Sequence, residues 1–297
     1  MKRTADALRR IGLIANPEKP RSIAVLRRTV TQLRRLGREV LCDATTAGFA
    51  RLRSIPVAAD AAELARRCDL LLVFGGDGTM LRSVRSLGGR AVPVIGVNVG
   101  LLGYLTGVEQ GSAVEALDTF LSGSVGAGYS FDDRMLVRVR VWTAGTYVGE
   151  HLALNEIVVE KREAGHTVRL AVDVDGAHFT TYAADGLIVA SPTGSTAYSM
   201  SARGPILSPR MRALLVTPVS PHMLFDRALV LDPSERIRIE VLGHRSVNVA
   251  SDGELVHSLR PGDVVEVDAA DEFARFVRFE ATRFHQILKS KFGLADR

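Results

Sequence analysis

The sequence predicts an N-terminal α/β domain with a parallel sheet followed by a β-rich C-terminal part, and three observations carry that expectation. Leu71-Leu72-Val73-Phe74 is apolar without alternation and stops at Gly75-Gly76-Asp77-Gly78, as expected of a strand covered on both faces that delivers a loop. Upstream of it, strand-like and helix-like patterns take turns. Beyond about residue 129 the period becomes two, with alternation in Leu136 to Val141, Val168 to Val174 and Arg236 to Val241.

In chain order, Ile11 to Ala15 reads as the first strand and Asn16-Pro17-Glu18-Lys19-Pro20 as a turn. Ile23, Leu26, Val30 and Leu33 then recur at helical spacing, and Gly37 suits the stop. Glu39 to Cys42 is the second strand. Asp60 and Glu63 have the capping-box spacing ahead of a helix ending at Arg66-Arg67. After the Gly75–Gly78 loop, Thr79 opens a helix through Met80, Leu81, Val84 and Leu87, whose N-terminal N–H groups favour phosphate. Val92 to Val97 leads to a second glycine-rich loop, Asn98 to Leu105. Ser112 to Leu121 is the next helix and Ser122 to Gly128 the linker. In the β-rich part Asp175-Gly176 marks a hairpin, and Arg283 to Lys291 reads as a closing amphipathic helix.

A chain of 297 residues with 46% hydrophobic and 24% charged residues exceeds the common single-domain size, so two domains are expected. The net charge of +5 suits anionic nucleotides, but no basic stretch is interleaved with aromatics, and no nucleic-acid partner is expected. Cys42 and Cys68 stand apart, without a CxxC or a Cys/His cluster, which argues against a disulfide scaffold or a zinc site. With no run long enough to cross a bilayer and only a short, polar-flanked apolar run near the start, the chain reads as cytoplasmic, without a membrane partner.

Asp77 is the odd member of its glycine loop, because a carboxylate repels phosphate. It either caps a tight turn or has chemical work: holding a metal ion or taking a proton from a hydroxyl. Asn155-Glu156 lies within a strand-like run, Leu152 to Glu160; the pair either reads an adenine edge or ribose hydroxyls, or marks an exposed strand edge. Tyr182 to Ser201 places Asp185-Gly186 at one end of a strand and Pro192-Thr193-Gly194-Ser195-Thr196-Ala197-Tyr198 at the other, a loop suited to sugar or phosphate, with Tyr198 able to stack on a base. Neither a P-loop nor a Rossmann fingerprint is present, since Leu81 stands where the latter needs glycine. Of the seven histidines, His222 in Ser220-Pro221-His222 is the one candidate for a site wall.

In order and spacing, Gly75 to Thr79, Asn98 to Leu105, Asn155-Glu156, Asp185-Gly186, Ser191 to Ser201, Ser220 to His222 and Asp252-Gly253 resemble the NAD kinases, the ATP- or polyphosphate-dependent bacterial type, across nearly the whole chain. The resemblance implies an N-terminal α/β domain over residues 1–125, a β-rich NAD-binding domain over 126–272, and a segment over 273–297 that returns to the first domain. It implies phosphorylation of the adenosine ribose 2′-hydroxyl of NAD to give NADP, with ATP as co-substrate and Mg²⁺ or another divalent cation. Asp77 would activate or position that hydroxyl. Gly75, Gly76, Gly78 and Thr79 would face phosphates, and Asn155 and Glu156 would hold adenosine groups. Asp185, Thr196, Ala197, Tyr198 and Ser201 would line the rest of the pocket, some from a neighbouring subunit of a homodimer or homotetramer. The chain departs from the common pattern at Ser191 (often Thr), Tyr104 (often Phe) and Arg203 (often Gly); Arg203 places a fixed charge that either tightens phosphate binding or points to solvent. Two rival readings remain: a lipid or sugar kinase using the same glycine loop, and a non-catalytic dinucleotide-binding regulator.

Overall fold

The computed structural model describes residues 8–100, 103–123, 126, 128–279 and 284–294. Residues 1–6 of the expected N-terminal lead, Leu101-Leu102 of the second glycine loop, residues 124, 125 and 127 of the expected linker, and Arg283 at the head of the final helix lie outside the described residues. Two compact units divide the chain: residues 1–133 with 274–297, and residues 134–273.

The first unit alternates strand and helix: β1 (Arg10–Ala15), α1 (Ser22–Arg35), β2 (Glu39–Asp43), α2 (Ala44–Ala50), β3 (Val57–Ala58), α3 (Ala61–Arg67), β4 (Leu70–Gly75), α4 (Asp77–Ser86), β5 (Val94–Asn98), β6 (Val108–Glu109) and α5 (Ala113–Ser122). Every pairing is parallel, in the order β3-β2-β1-β4-β5, with β6 beside β5. All six residues of β4 are buried, as its unbroken apolar run requires. Val25, Leu26, Val30 and Leu33 on one face of α1 join Leu13, Leu72, Phe74 and Ile95 in the core. The register pairs Ala15 with Phe74 and Gly75 with Asn98, so the loops after β1, β4 and β5 leave from the same edge of the sheet.

One helix has no counterpart in the sequence-based expectation, and two local details differ from it. Ala44 to Ala50 lacks a helical apolar period yet forms α2, because the Asp43 side chain accepts from Thr46 N at 2.9 Å and the Thr46 hydroxyl accepts from Ala15 N at 2.9 Å. At α3 the Asp60 side chain accepts from Glu63 N at 2.7 Å, while Glu63 reaches back to Ala59 N rather than to that of Asp60. The helix after the glycine loop opens at Asp77, two residues before Thr79, because Gly76 is its extended N-cap and the Gly76 carbonyl accepts from Met80 N.

The second unit takes up β7 (Ser130–Thr143) from Arg134 onward, then β8 (Thr146–Ala153), β9 (Glu156–Lys161), β10 (Val168–Val174), β11 (Ala177–Ala184), β12 (Gly186–Ala190), α6 (Tyr198–Ser201), β13 (Leu214–Val219), β14 (Leu229–Leu231), β15 (Ile237–Leu242), β16 (Val247–Ser251), β17 (Glu254–Leu259) and most of β18 (Val264–Arg278). One antiparallel sheet runs β11-β10-β15-β18-β7-β8 and the other β14-β13-β12-β9-β16-β17. Leu170, Val172, Ile237 and Ile239 of the first sheet form one buried cluster with Ile157, Val159, Leu187 and Val249 of the second, so alternate residues of both sheets make the core. Asp175 and Gly176 have φ of 49° and 79°, the left-handed pair that a two-residue hairpin needs. The end of β18 and α7 (Phe284–Phe292) belong to the first unit, where Phe276 pairs with Val94 of β5.

Candidate active site

In the first unit no side chain caps α4, and the N–H groups of Asp77 and Gly78 precede its first bonds, which run from Thr79 N and Met80 N to Gly76 O, the usual arrangement of an anion site. Asp77 occupies that turn. Its Oδ2 accepts from Tyr104 N at 2.8 Å and its Oδ1 from Leu105 N at 3.0 Å, so one carboxylate ties the loop after β4 to the loop after β5. Gly103 has to be glycine, since a Cβ there would run into the Asp77 carboxylate. Each Asp77 oxygen keeps a lone pair beyond the one these bonds use. The Lys291 ammonium of α7 lies 4.0 Å from Asp77 Oδ2 and 4.2 Å from the centre of the Tyr104 ring. Burial first, and the charge of Asp77 second, push the Tyr104 hydroxyl above its ordinary pKa. A cavity of about 240 Å³ opens at the same strand edge, lined by Arg21, Asn98, Gly100, Glu109 and Gln110.

In the second unit Asp252, at φ 47° in the turn after β16, gathers three successive amides. Its carboxylate accepts from Leu154 N at 2.8 Å, Asn155 N at 2.7 Å and Glu156 N at 3.2 Å. Ser191 adds a second clamp: its hydroxyl donates to Leu154 O at 2.6 Å and accepts from Thr193 N at 3.1 Å and Gly194 N at 3.2 Å. Gly194 lies so close to the Asn155 carbonyl that any Cβ would strike it. Arg134, itself buried, donates to the Thr193 hydroxyl at 3.3 Å. Glu156 is 7% exposed, and Oε2 has no hydrogen-bond partner among the described residues. Burial, with the Asp252 charge second, pushes its carboxyl up to about 8, against a smaller lowering by the Tyr198 N–H.

Two sequence profiles match this chain: ATP-NAD kinase N-terminal domain over residues 11–125 and ATP-NAD kinase C-terminal domain over residues 154–279. The NAD kinase of Syntrophotalea carbinolica is 37% identical over 98% of this chain and 100% of its own length. The chain belongs to the NAD kinase family. A Bordetella pertussis NAD kinase is 36% identical over 95% of this chain and 94% of its own. The crystal structure of yeast NADH kinase complexed with NADH superposes with a TM-score of 0.88 at 25% identity, covering 98% of this chain and 89% of that one. An Archaeoglobus fulgidus NAD kinase in complex with ATP shares the fold, with a TM-score of 0.71 at 24% identity over 97% of this chain and all of that one.

Against the NAD kinase pattern, Gly75, Gly76, Asp77 and Gly78 form one strand-to-helix loop, and Thr79 is buried beneath it in the first turn of α4. Asn155 and Glu156 are not inside one strand, as the run from Leu152 to Glu160 suggests. Asn155 lies in a break between β8 and β9 and Glu156 is the first residue of β9, because Asp252 takes the amides of residues 154–156. Thr196, Ala197, Tyr198 and Ser201 follow on a 3₁₀ turn and the four-residue α6, with the Tyr198 ring exposed. Asp185 is held by Lys161 at 2.6 Å. His222 is exposed, donating its backbone N–H to Ala183 O at 2.7 Å. Arg203 is exposed too, with φ of 66°, so this position has the left-handed backbone for which glycine is the unstrained choice. The roles of Asp252 and Ser191 as clamps, and the position of Lys291, were not legible beforehand: each depends on a partner far away in sequence.

Proposed function

We propose that the chain transfers the γ-phosphoryl group of ATP to the 2′-hydroxyl of the adenosine ribose of NAD, releasing ADP and NADP. Asp77 carries this reading: a carboxylate fixed by two backbone amides at a helix N-terminus, with a lone pair left on each oxygen. In the reaction the 2′-hydroxyl gives its proton to Asp77, its oxygen forms a bond to the γ-phosphorus, and the bond from that phosphorus to the β–γ bridging oxygen breaks. Gly75, Gly76 and Gly78 form the loop that faces phosphate, with the N–H groups at the start of α4 as donors and Thr79 packed beneath them. Asn155 and Glu156 hold the adenosine. Glu156, with its carboxyl raised to about 8, keeps a proton at neutral pH that it can donate to a ligand acceptor. Asp185, Thr196, Ala197, Tyr198 and Ser201 line the remainder of the dinucleotide site, in copies of the chain assembled as a homodimer or homotetramer.

Among the described residues no three His, Cys, Asp or Glu side chains gather into a metal cage. Asp77, a part-exposed carboxylate with a lone pair left on each oxygen, would be the protein group that holds Mg²⁺ or another divalent cation brought with the donor phosphates. Such an ion would supply positive charge to the donor phosphates. No described helix is long and apolar enough to cross a membrane. A cytoplasmic location is consistent with Cys42 and Cys68, free thiols that burial pushes up to about 11.

The test is to incubate the purified protein with NAD and Mg²⁺–ATP and to follow NADP with a dehydrogenase that accepts only NADP. Steady formation of NADP is expected, and replacing ATP by polyphosphate decides the donor range. If NAD binds by calorimetry and no NADP forms, the chain is a dinucleotide-binding regulator; if neither occurs, lipid and sugar acceptors come next.

A further inference from the structure

The C-terminal helix α7 buries no residue among those described, yet it brings one cation to the glycine loop. Lys291 Nζ lies over the Tyr104 ring at 4.2 Å and 4.0 Å from Asp77 Oδ2, and Phe284 at the other end of α7 rests 6.3 Å from the same ring. At 4.0 Å the ammonium is held by charge and not by a hydrogen bond, so its N–H donors have no hydrogen-bond partner among the described residues. We infer that Lys291 binds the phosphates of the phosphoryl donor, placed by α7 beside Asp77 at the N-terminus of α4. The inference rests on the kinase reading above and deepens it.

Stability does not account for the arrangement. Both partners of the pair are about a third exposed, and an ion pair of that kind contributes little to folding. Donor chemistry does account for it. The Asp77 carboxylate repels a polyphosphate arriving at the free N–H groups of α4, and a cation alongside offsets that repulsion while leaving the carboxylate free to take a proton. The Tyr104 ring fixes the ammonium by cation–π attraction without using its N–H donors, so they stay available to phosphate oxygens.

Steady-state kinetics of wild type, Lys291→Met, Lys291→Arg and Lys289→Met, with NAD saturating and ATP varied at constant ionic strength, test the assignment. Lys291→Met is expected to raise KM for ATP about tenfold or more. Its KM for NAD should stay unchanged, and inhibition by inorganic tripolyphosphate should weaken by a similar factor. Lys291→Arg should recover most of the loss, and the melting temperature should not move, because α7 buries no residue. Lys289→Met, on the same helix, controls for the general field. A KM for ATP within about twofold of wild type in Lys291→Met overturns the assignment, as does an equal rise in Lys289→Met. A wild-type protein that makes no NADP refutes the kinase reading itself, before any variant is compared.

Discussion

The two units treat their carboxylates in opposite ways. Asp77, in the first unit, is part exposed, its oxygens each take one backbone N–H, and a lysine stands near it. Glu156, in the second, is buried beside a second carboxylate, and one of its oxygens has no hydrogen-bond partner among the described residues. Environment therefore divides the labour. Asp77 suits proton abstraction, while Glu156 suits recognition as a neutral donor. Asp252 is a third case, a carboxylate that accepts from the three successive backbone amides of residues 154–156.

Breaking the first half of this comparison should give the largest effect. Asp77→Asn is expected to lower kcat by ~10²–10⁴-fold with little change in melting temperature. A variant with near-full activity would remove Asp77 from the mechanism. Asp252→Ala should come next: losing one acceptor for three buried-side amides is expected to cost roughly 2–4 kcal/mol in urea unfolding and to raise KM for NAD. An unchanged KM for NAD would separate the clamp from the ligand site.

The pH dependence of Glu156 sharpens the second half. Its folded pKa of about 8 lies above the ordinary value of 4.5, so the native state holds a proton that the unfolded chain releases. Stability from this group is then full below pH 4.5, declines as pH rises from 4.5 to 8, and stays at its low value above 8. Glu156→Gln should flatten that decline, by about 1–3 kcal/mol between pH 5 and 8.5 in parallel urea titrations. Equal slopes for the two proteins would place the Glu156 carboxyl in water. The smallest effect is expected at Arg203. Replacing it by glycine relieves a left-handed backbone and should raise stability by about 0.5–1 kcal/mol without altering KM for NAD, as fits an exposed side chain. A rise in that KM would assign the guanidinium to the ligand instead.

The alternation of strand and helix, the buried run of β4 and the period-two strands beyond residue 129 were legible because each is a local pattern with its own burial periodicity. Helix α2 was not, since its start depends on the Asp43 cap and its anchorage on Thr46 bonding to β1, thirty-one residues away in sequence. Asn155-Glu156 read as part of one strand for the same reason. Nothing near the pair announces the break; the carboxylate that causes it comes from Asp252, almost a hundred residues on.

By itself the sequence determined the succession of elements, the two chemistries of the chain and the residues eligible for them, because apolar periodicity, glycine loops and acid-amide pairs are written in neighbouring positions. Only the tertiary structure decided how each carboxylate behaves: which backbone amides reach Asp77 and Asp252, how deeply Glu156 is buried, and that α7 brings Lys291 to the loop of Asp77. Those are differences in solvation and distance between groups far apart in the chain, and they exist only once it has folded.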